Sequence, residues 1–505
     1  MPMRHTPPLT KIIATIGPAS RGRDVLTRLI DAGVSVFRLN FSHGSLEAHA
    51  DVLTAIRSLA AEAGRRVAVL GDLQGPKIRI GKVADPGVEL APGDTVLLRR
   101  GTFIASPAAR PACFGSTYER LVDDVEPGQR ALIADGAIRM LVVAKRADEL
   151  ECSVTVGGVV TSGKGINLPD THVSAEALSD HDLTCVKWAV EQGLDFLALS
   201  FVRSAAEVVR LRELIAAHAA SREPGFHVPI IAKIEQPSAV ERVDEILEQA
   251  DGIMVARGDL GVELELARVP VIQKRIVLAA ADHGKPCIVA TQMLESMIQS
   301  PMPTRAEASD VANAILDGAD AVMLSGETAV GRYPVLAVDH MRLIAQHTEA
   351  YLSQQPQSAS PPLRLVASRY RTAALAHGAW TIARDYGAKL IVVWSQRGGG
   401  ARLLSQNNFQ IPIIALSGDE RALRQMQLLR GVTPIHMEPP HSLADFTRRV
   451  DDLLLKDGWA ALGDRCILMA GSPLGVARNT NTLALHEVGN PDTGYARVDG
   501  GAEKC

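Results

Sequence analysis

Eight short apolar runs, at 11–16, 34–40, 67–73, 196–201, 230–235, 252–257, 287–293 and 321–325, are each followed by a stretch with helical periodicity. Apolar runs of this length read as strands buried on both faces, the condition met in parallel sheets. Strand followed by helix, eight times over, predicts an α/β chain closed into a (β/α)₈ barrel, which builds active sites at the C-terminal ends of its strands. The runs fall in two pieces, 10–73 and 174–347, whose combined length approaches the ~250 residues typical of that fold. The barrel domain is therefore expected over 1–74 and 173–350.

Between the third and fourth runs the pattern changes. Residues 75–172 alternate apolar and polar positions between Gly and Pro turns, as in Ala131-Leu132-Ile133-Ala134-Asp135-Gly136, and predict a small inserted β domain. It leaves the barrel through a βα loop, on the active-site face, where it can act as a lid. Residues 351–362 have the Ser, Gln and Pro composition of a linker. Runs at 389–394, 412–417, 433–437 and 466–470 then alternate with helical patterns, predicting a C-terminal α/β domain over 363–489 with a mostly parallel sheet. The polar residues 490–505 are expected to form a disordered tail.

The 53 Lys and Arg residues against 57 Asp and Glu give a net charge of -4 with no basic run, so no nucleic-acid partner is expected. Six cysteines lie far apart, without the paired spacing of a zinc or redox motif, which suits a reducing compartment. No run approaches the ~18 apolar residues of a membrane span, and residues 1–9 lack the apolar core of a signal peptide. The expectation is a cytoplasmic protein without a membrane segment.

A strand buried on both faces has no structural use for charge at its tip, yet the fifth run ends in Lys233 and Glu235 and the sixth is followed by Asp259. Residues two apart on a strand share a face, and adjacent strands lie ~5 Å apart, which brings Asp259 within reach of Glu235. Two carboxylates can share one Mg²⁺ beside a cation, an arrangement that holds a phosphorylated substrate; a buried ion pair is the alternative. Arg38, Asn40 and Ser42 alternate onto one face after the second run and can hold a phosphoryl group and a cation. The third run adds Asp72, with Lys77 and Arg79 beyond it. The Thr291 hydroxyl can orient a carboxylate or relay a proton. Gly258 and Gly261 let backbone N–H groups approach an anion. Lys164, at the return of the lid, can reach a nucleotide phosphate.

The blocks Thr10-Lys11-Ile12, Arg38-Leu39-Asn40-Phe41-Ser42-His43-Gly44, 254–261, 290–297, Pro303-Thr304-Arg305-Ala306-Glu307 and Met323-Leu324-Ser325-Gly326-Glu327-Thr328-Ala329 resemble the pyruvate kinases along nearly the whole chain. The resemblance implies conversion of phosphoenolpyruvate and ADP to pyruvate and ATP, the last step of glycolysis, in a cytoplasmic homotetramer of barrel, lid and regulatory domains. It implies catalytic Mg²⁺ (or Mn²⁺) on Glu235 and Asp259, with Lys233 neutralising the moving phosphoryl group and Arg38 clamping it. Thr291 matches the position tied to the substrate carboxylate and proton delivery, with Gly258 beside the substrate. Asn40, His43, Arg79 and Lys164 match the nucleotide region, and Asn40, Ser42, Asp72 and Leu73 the monovalent-cation region.

Two departures from the family pattern carry information. Many members have Asp-Thr-Lys-Gly-Pro-Glu where this chain has Asp72-Leu73-Gln74-Gly75-Pro76-Lys77, and a fixed ammonium near Asp72 makes a bound K⁺ redundant. Activity without K⁺ is expected. The loop Ser395-Gln396-Arg397-Gly398-Gly399-Gly400-Ala401-Arg402 stands where the family binds an effector phosphate, and its glycine run favours a sugar monophosphate or AMP over fructose bisphosphate. A barrel lyase acting on a pyruvate enolate shares the carboxylates and an Arg but needs neither nucleotide nor lid. A catalytically dead sensor would be expected to lose Lys233 or a metal ligand, and the chain keeps them.

Overall fold

The computed structural model describes residues 7–174, 176–223, 225–355, 362–472, 474 and 480–495. Its centre is a closed barrel of eight parallel strands: Lys11–Thr15, Val36–Asn40, Ala68–Asp72, Phe196–Leu199, Ile230–Ile234, Gly252–Ala256, Cys287–Ala290 and Ala321–Leu324. Each pairs with its neighbour in sequence, and Lys11 opposite Ala321 closes the ring.

Alternation along each strand divides the apolar residues between two cores. Phe37, Leu39, Val69, Ile230, Ala232, Ile234, Ile253 and Val255 face the surrounding helices. Ile13, Val36, Leu70, Ala198, Ile231, Met254, Ile288 and Met323 fill the barrel itself. The barrel is thus a packed core, and whatever side chain follows the apolar layer on the inward face emerges at the mouth.

Several strands stop short of their apolar runs. The sixth ends at Ala256 and passes directly into the helix Arg257–Glu263, so Asp259 lies in a first helical turn and not at a strand tip. The seventh ends at Ala290 because Thr291 and Gln292 take positive φ, and the fourth ends at Leu199, with Phe201 also at positive φ.

The inserted unit has its own apolar core. Six strands lie in the order Ile166–Asn167, Arg130–Ile133, Ile138–Lys145, Glu149–Val156, Thr95–Arg99 and Ala112–Phe114, beside a two-stranded pair of Val88–Leu90 and Gly158–Val160. It returns onto the barrel where Asn167 Nδ2 donates to Glu263 Oε1 at 2.8 Å. Burial pushes the Glu263 carboxyl up to about 7, against the pull of that hydrogen bond.

The helix Pro334–Gln354 continues into the expected linker, whose residues 356–361 lie outside the described ones. The C-terminal sheet runs in the order Val432–His436, Ile413–Ser417, Leu390–Trp394, Arg465–Gly471 and Thr480–Glu487. Its last strand is antiparallel and had no counterpart in the sequence reading, because a half-buried edge strand of Thr, Asn and Leu carries no continuous apolar run. Residues 490–495, expected to be disordered, are packed: Tyr495 Oη donates to the Leu468 carbonyl and its backbone N–H to Thr447 Oγ1. Residues 496–505 lie outside the described residues.

The C-terminal domain closes the base of the barrel. Leu428 sits in the barrel's own core, next to residues of its strands. Around it, Asp320 at the foot of the eighth strand accepts from Cys287 N at 2.9 Å and from Gln406 Nε2 at 2.9 Å. Arg424 Nε reaches Asp195 Oδ1 at 2.8 Å, and Lys11 Nζ the Val432 carbonyl at 2.6 Å. Among the described residues, no helix is long and apolar enough to cross a membrane.

Candidate active site

The inward positions just above the barrel's apolar layer are Thr15, Arg38, Asp72, Ser200 and Lys233, each on a different strand or its immediate extension. They form one connected polar cluster. Arg38 grips Asp72 through Nε and Nη2, both 2.7 Å from Oδ2, and its Nη1 donates to Thr15 Oγ1 at 3.1 Å. Lys233 Nζ lies 3.0 Å from Glu235 Oε1, 3.4 Å from Asp72 Oδ1 and 2.7 Å from Ser200 Oγ. Asp72 and Glu235 are each 1 % exposed.

Burial works against every one of these charges, and the arrangement decides which survive. Burial alone lowers the Lys233 ammonium, but Asp72 and Glu235 together hold it above its ordinary value. Burial raises the Asp72 carboxyl, yet Lys233 and Arg38 bring it below the usual range. Glu235 goes the other way: burial, aided by the nearby Asp259, pushes it up to about 7 despite Lys233. Its Oε2 also accepts from Phe201 N at 2.5 Å, which ties the left-handed Phe201 to the site.

Asp259, in the first turn of the neighbouring helix, thus lies near enough to Glu235 for its charge to raise that carboxyl. Among the described residues no cluster of three or more His, Cys, Asp or Glu could hold a metal. A pair of hard oxygen donors without Cys or His fits a Mg²⁺-type ion that takes its remaining ligands from substrate and water. Next to the pair, Thr291 Oγ1 accepts from Gly258 N at 2.7 Å and donates to the Ala290 carbonyl at 2.6 Å.

The other expected residues divide. Asn40, the last residue of the second strand, accepts at Oδ1 from Ser42 N at 3.1 Å, and the exposed His43 follows. Leu73 is buried, and its carbonyl accepts from Ser200 Oγ at 2.7 Å. Arg79 and Lys164 meet at the base of the lid, where Arg79 Nη1 donates to the Gly163 carbonyl and Ile80 N to that of Lys164. Lys77 does not join Asp72: no carboxylate of the described residues lies within 4.0 Å of its ammonium, and its Cε is 3.3 Å from the place a Cβ on Gly165 would take. The Gly75 turn directs that side chain to the lid strand instead.

In the C-terminal loop, Ser395 Oγ accepts from Ala401 N at 3.2 Å, and Gly398 sits at φ +78°. The loop lines a cavity of about 480 Å³ shared with the barrel residues Lys285 and Asp251. Of its two arginines, Arg402 is engaged with the Gly284 carbonyl, and Arg397 lies exposed beside Gly225. Arg402 thus serves the domain junction, where the sequence suggested a second anion-binding group.

Thr15, Ser200 and Arg257 were not singled out from sequence. Inward parity along their strands was the available signal for Thr15 and Ser200. Arg257 had none, since its partners lie in the turn after the seventh strand and on two helices distant in sequence.

Comparison with known proteins agrees with this architecture. The family model "Pyruvate kinase, barrel domain" matches residues 8–338, and "Pyruvate kinase, alpha/beta domain" matches 373–486. The chain is 40% identical over 488 residues to the pyruvate kinase of Mycobacterium tuberculosis, covering 95% of this chain and 99% of that one. It is 39% identical over 489 residues to the pyruvate kinase of Corynebacterium glutamicum, with 97% and 99% covered. A crystal structure of a pyruvate kinase from Cryptosporidium parvum superposes with a TM-score of 0.85 at 34% identity, covering 95% of this chain and 96% of its own. With the barrel, the lid, the C-terminal domain and the charged mouth all accounted for, the chain belongs to the pyruvate kinase family.

Proposed function

We propose that the mouth cluster carries out the family reaction, phosphoenolpyruvate and ADP to pyruvate and ATP, with the following division of labour. Lys233 neutralises the phosphoryl group in flight and the enolate oxygen it leaves, and Arg38 clamps the phosphate. The observation that carries this is the connected chain Arg38–Asp72–Lys233–Glu235: two cations paired at the barrel mouth with two buried carboxylates. Phosphoryl transfer needs mainly positioning and charge neutralisation, and such preorganised charge supplies both. Glu235 and Asp259 hold the divalent ion that the family requires, here Mg²⁺ or Mn²⁺. When bound, it supplies Lewis-acid stabilisation of charge on the substrate oxygens.

Gly258 N–H and Thr291 face the substrate carboxylate, and proton delivery to the enolate carbon passes through the Thr291 hydroxyl. Asn40, His43, Arg79 and Lys164 receive the nucleotide phosphates. Lys77 replaces K⁺; what supports this is its +1 charge near the mouth, although it is not paired with Asp72. The loop from Ser395 to Arg402, over its cavity, takes a sugar monophosphate or AMP as effector, with the exposed Arg397 as a cation for its phosphate. The active form is a cytoplasmic homotetramer.

The test is pyruvate formation from phosphoenolpyruvate and ADP with Mg²⁺ in K⁺-free buffer, repeated with K⁺. Full activity in both supports the assignment together with the role of Lys77. Activity only with K⁺ removes Lys77 from it, and none in either buffer, with or without sugar phosphates, overturns the whole reading.

A further inference from the structure

Two consecutive residues at the mouth, Thr291 at φ +70° and Gln292 at φ +53°, occupy the left-handed region. Neither is glycine, and Thr is β-branched, so each is strained and persists only where its surroundings fix it. The group that fixes them is Arg257. Its Nη2 donates to the Thr291 carbonyl at 2.9 Å and the Gln292 carbonyl at 3.4 Å, and lies 2.8 Å from Met293 Sδ. Its Nη1 is anchored on the far side by Asp310, 2.6 Å away, and by Gln273 Oε1 at 3.4 Å.

This placement is costly. Arg257 is 9 % exposed, and its Nε has no hydrogen-bond partner among the described residues. A buried donor without a partner loses its hydration with nothing in return. Arg257 is also the first residue of the helix that carries Asp259, and the next residue, Gly258, donates to Thr291 Oγ1. One short stretch of backbone therefore holds the Thr291 turn twice, through its carbonyls from Arg257 and through its hydroxyl from Gly258. A Cβ at Gly258 would stand only 3.3 Å from that hydroxyl oxygen.

We propose that Arg257 is a positioning residue for the proton-transfer half of the reaction. It keeps Thr291 in its left-handed conformation, so that the hydroxyl stays beside the helix bearing Asp259. The inference rests on the role given to Thr291 above. In the step concerned, the C2=C3 electron pair of the enolate takes a proton from the hydroxyl, the enolate oxygen becomes the ketone, and the hydroxyl recovers a proton from water. Arg257 touches no reacting atom. Its guanidinium restricts the two peptide planes from which the hydroxyl is carried.

The experiment follows exchange of the pyruvate methyl protons with D₂O by NMR, on full-length enzyme with Mg²⁺ and ATP. Wild type is compared with Arg257→Gln, Arg257→Lys, Thr291→Ala and the double variant Arg257→Gln/Thr291→Ala. Arg257→Gln and Thr291→Ala are each expected to slow exchange more than about 30-fold, within the range of a lost acid–base group. The double variant is expected within about threefold of the slower single one, because the two act as a unit. Arg257→Lys, which keeps a cation at the same place, should fall between Gln and wild type.

Additive losses, or wild-type exchange in Arg257→Gln alongside slow exchange in Thr291→Ala, overturn this inference alone. Wild-type exchange in Thr291→Ala overturns the role of Thr291, and this inference with it. Should Arg257→Gln not fold, Asp310→Asn loosens the same guanidinium from its partly exposed side; it is expected to slow exchange about fivefold, and an unchanged rate overturns the inference.

Discussion

Lys233 Nζ lies 3.0 Å from Oε1 of Glu235, two residues along on the same inward face. In the function proposed above, the pair couples the cation that meets the phosphoryl group to a carboxylate that holds the divalent ion. Replacing Lys233 with Met should leave a folded enzyme, by circular dichroism, that has lost more than about a hundredfold in kcat, or ~3 kcal/mol of transition-state stabilisation.

Glu235 is pushed up to about 7 by burial, so it must lose a proton when it binds a cation. The protonated carboxyl dominates below that value, and Mg²⁺ affinity should fall as pH drops through about 7, approaching tenfold per unit. Titrations of Mg²⁺ by calorimetry in buffers of different ionisation heat should show proton release near pH 6 that fades by pH 8.

Lys77 supplies a fixed positive charge near the mouth. Lys77→Glu should therefore lower activity in K⁺-free buffer more than about tenfold, with KCl restoring most of it. Equal activity of the variant with and without KCl would remove Lys77 from the site.

Asp320, buried at the domain junction, is raised to about 6 by burial despite four hydrogen-bond donors. The folded state holds its proton more tightly than the unfolded chain, so this residue's contribution is full below about pH 4 and is lost as pH rises through about 6, at roughly 1.4 kcal/mol per unit. Thermal denaturation from pH 4.5 to 7 should show a smaller loss of Tm with rising pH in Asp320→Asn than in wild type.

The lid meets the metal-bearing helix through Asn167 and Glu263. Asn167→Ala leaves a buried carboxyl without that donor and should favour lid opening, raising KM for ADP about five- to tenfold with little change in Tm.

The barrel was legible because each strand is an apolar run, and the catalytic charges because Lys233 and Glu235 interrupt such a run. What escaped was set by contacts distant in sequence. Arg257 meets Thr291 34 residues on and Asp310 53 residues on, and no local pattern joins them. The left-handed turns at Phe201 and Thr291 are imposed by Glu235 and Arg257, against the preferences of Phe and Thr. That Asp72 pairs with Arg38 and Lys233, and not with Lys77, also depends on which strands adjoin in the barrel. The strand Thr480–Glu487 and the packed Tyr495 depend on neighbours already folded.

The seat of Leu428 inside the barrel floor means that the catalytic half is not self-sufficient. A chain cut after residue 355 would leave its barrel open at the base, with Lys11, Asp195 and Asp320 deprived of their partners across the junction. Such a fragment would be sticky and short-lived, so the C-terminal domain is a foundation on which the barrel mouth depends.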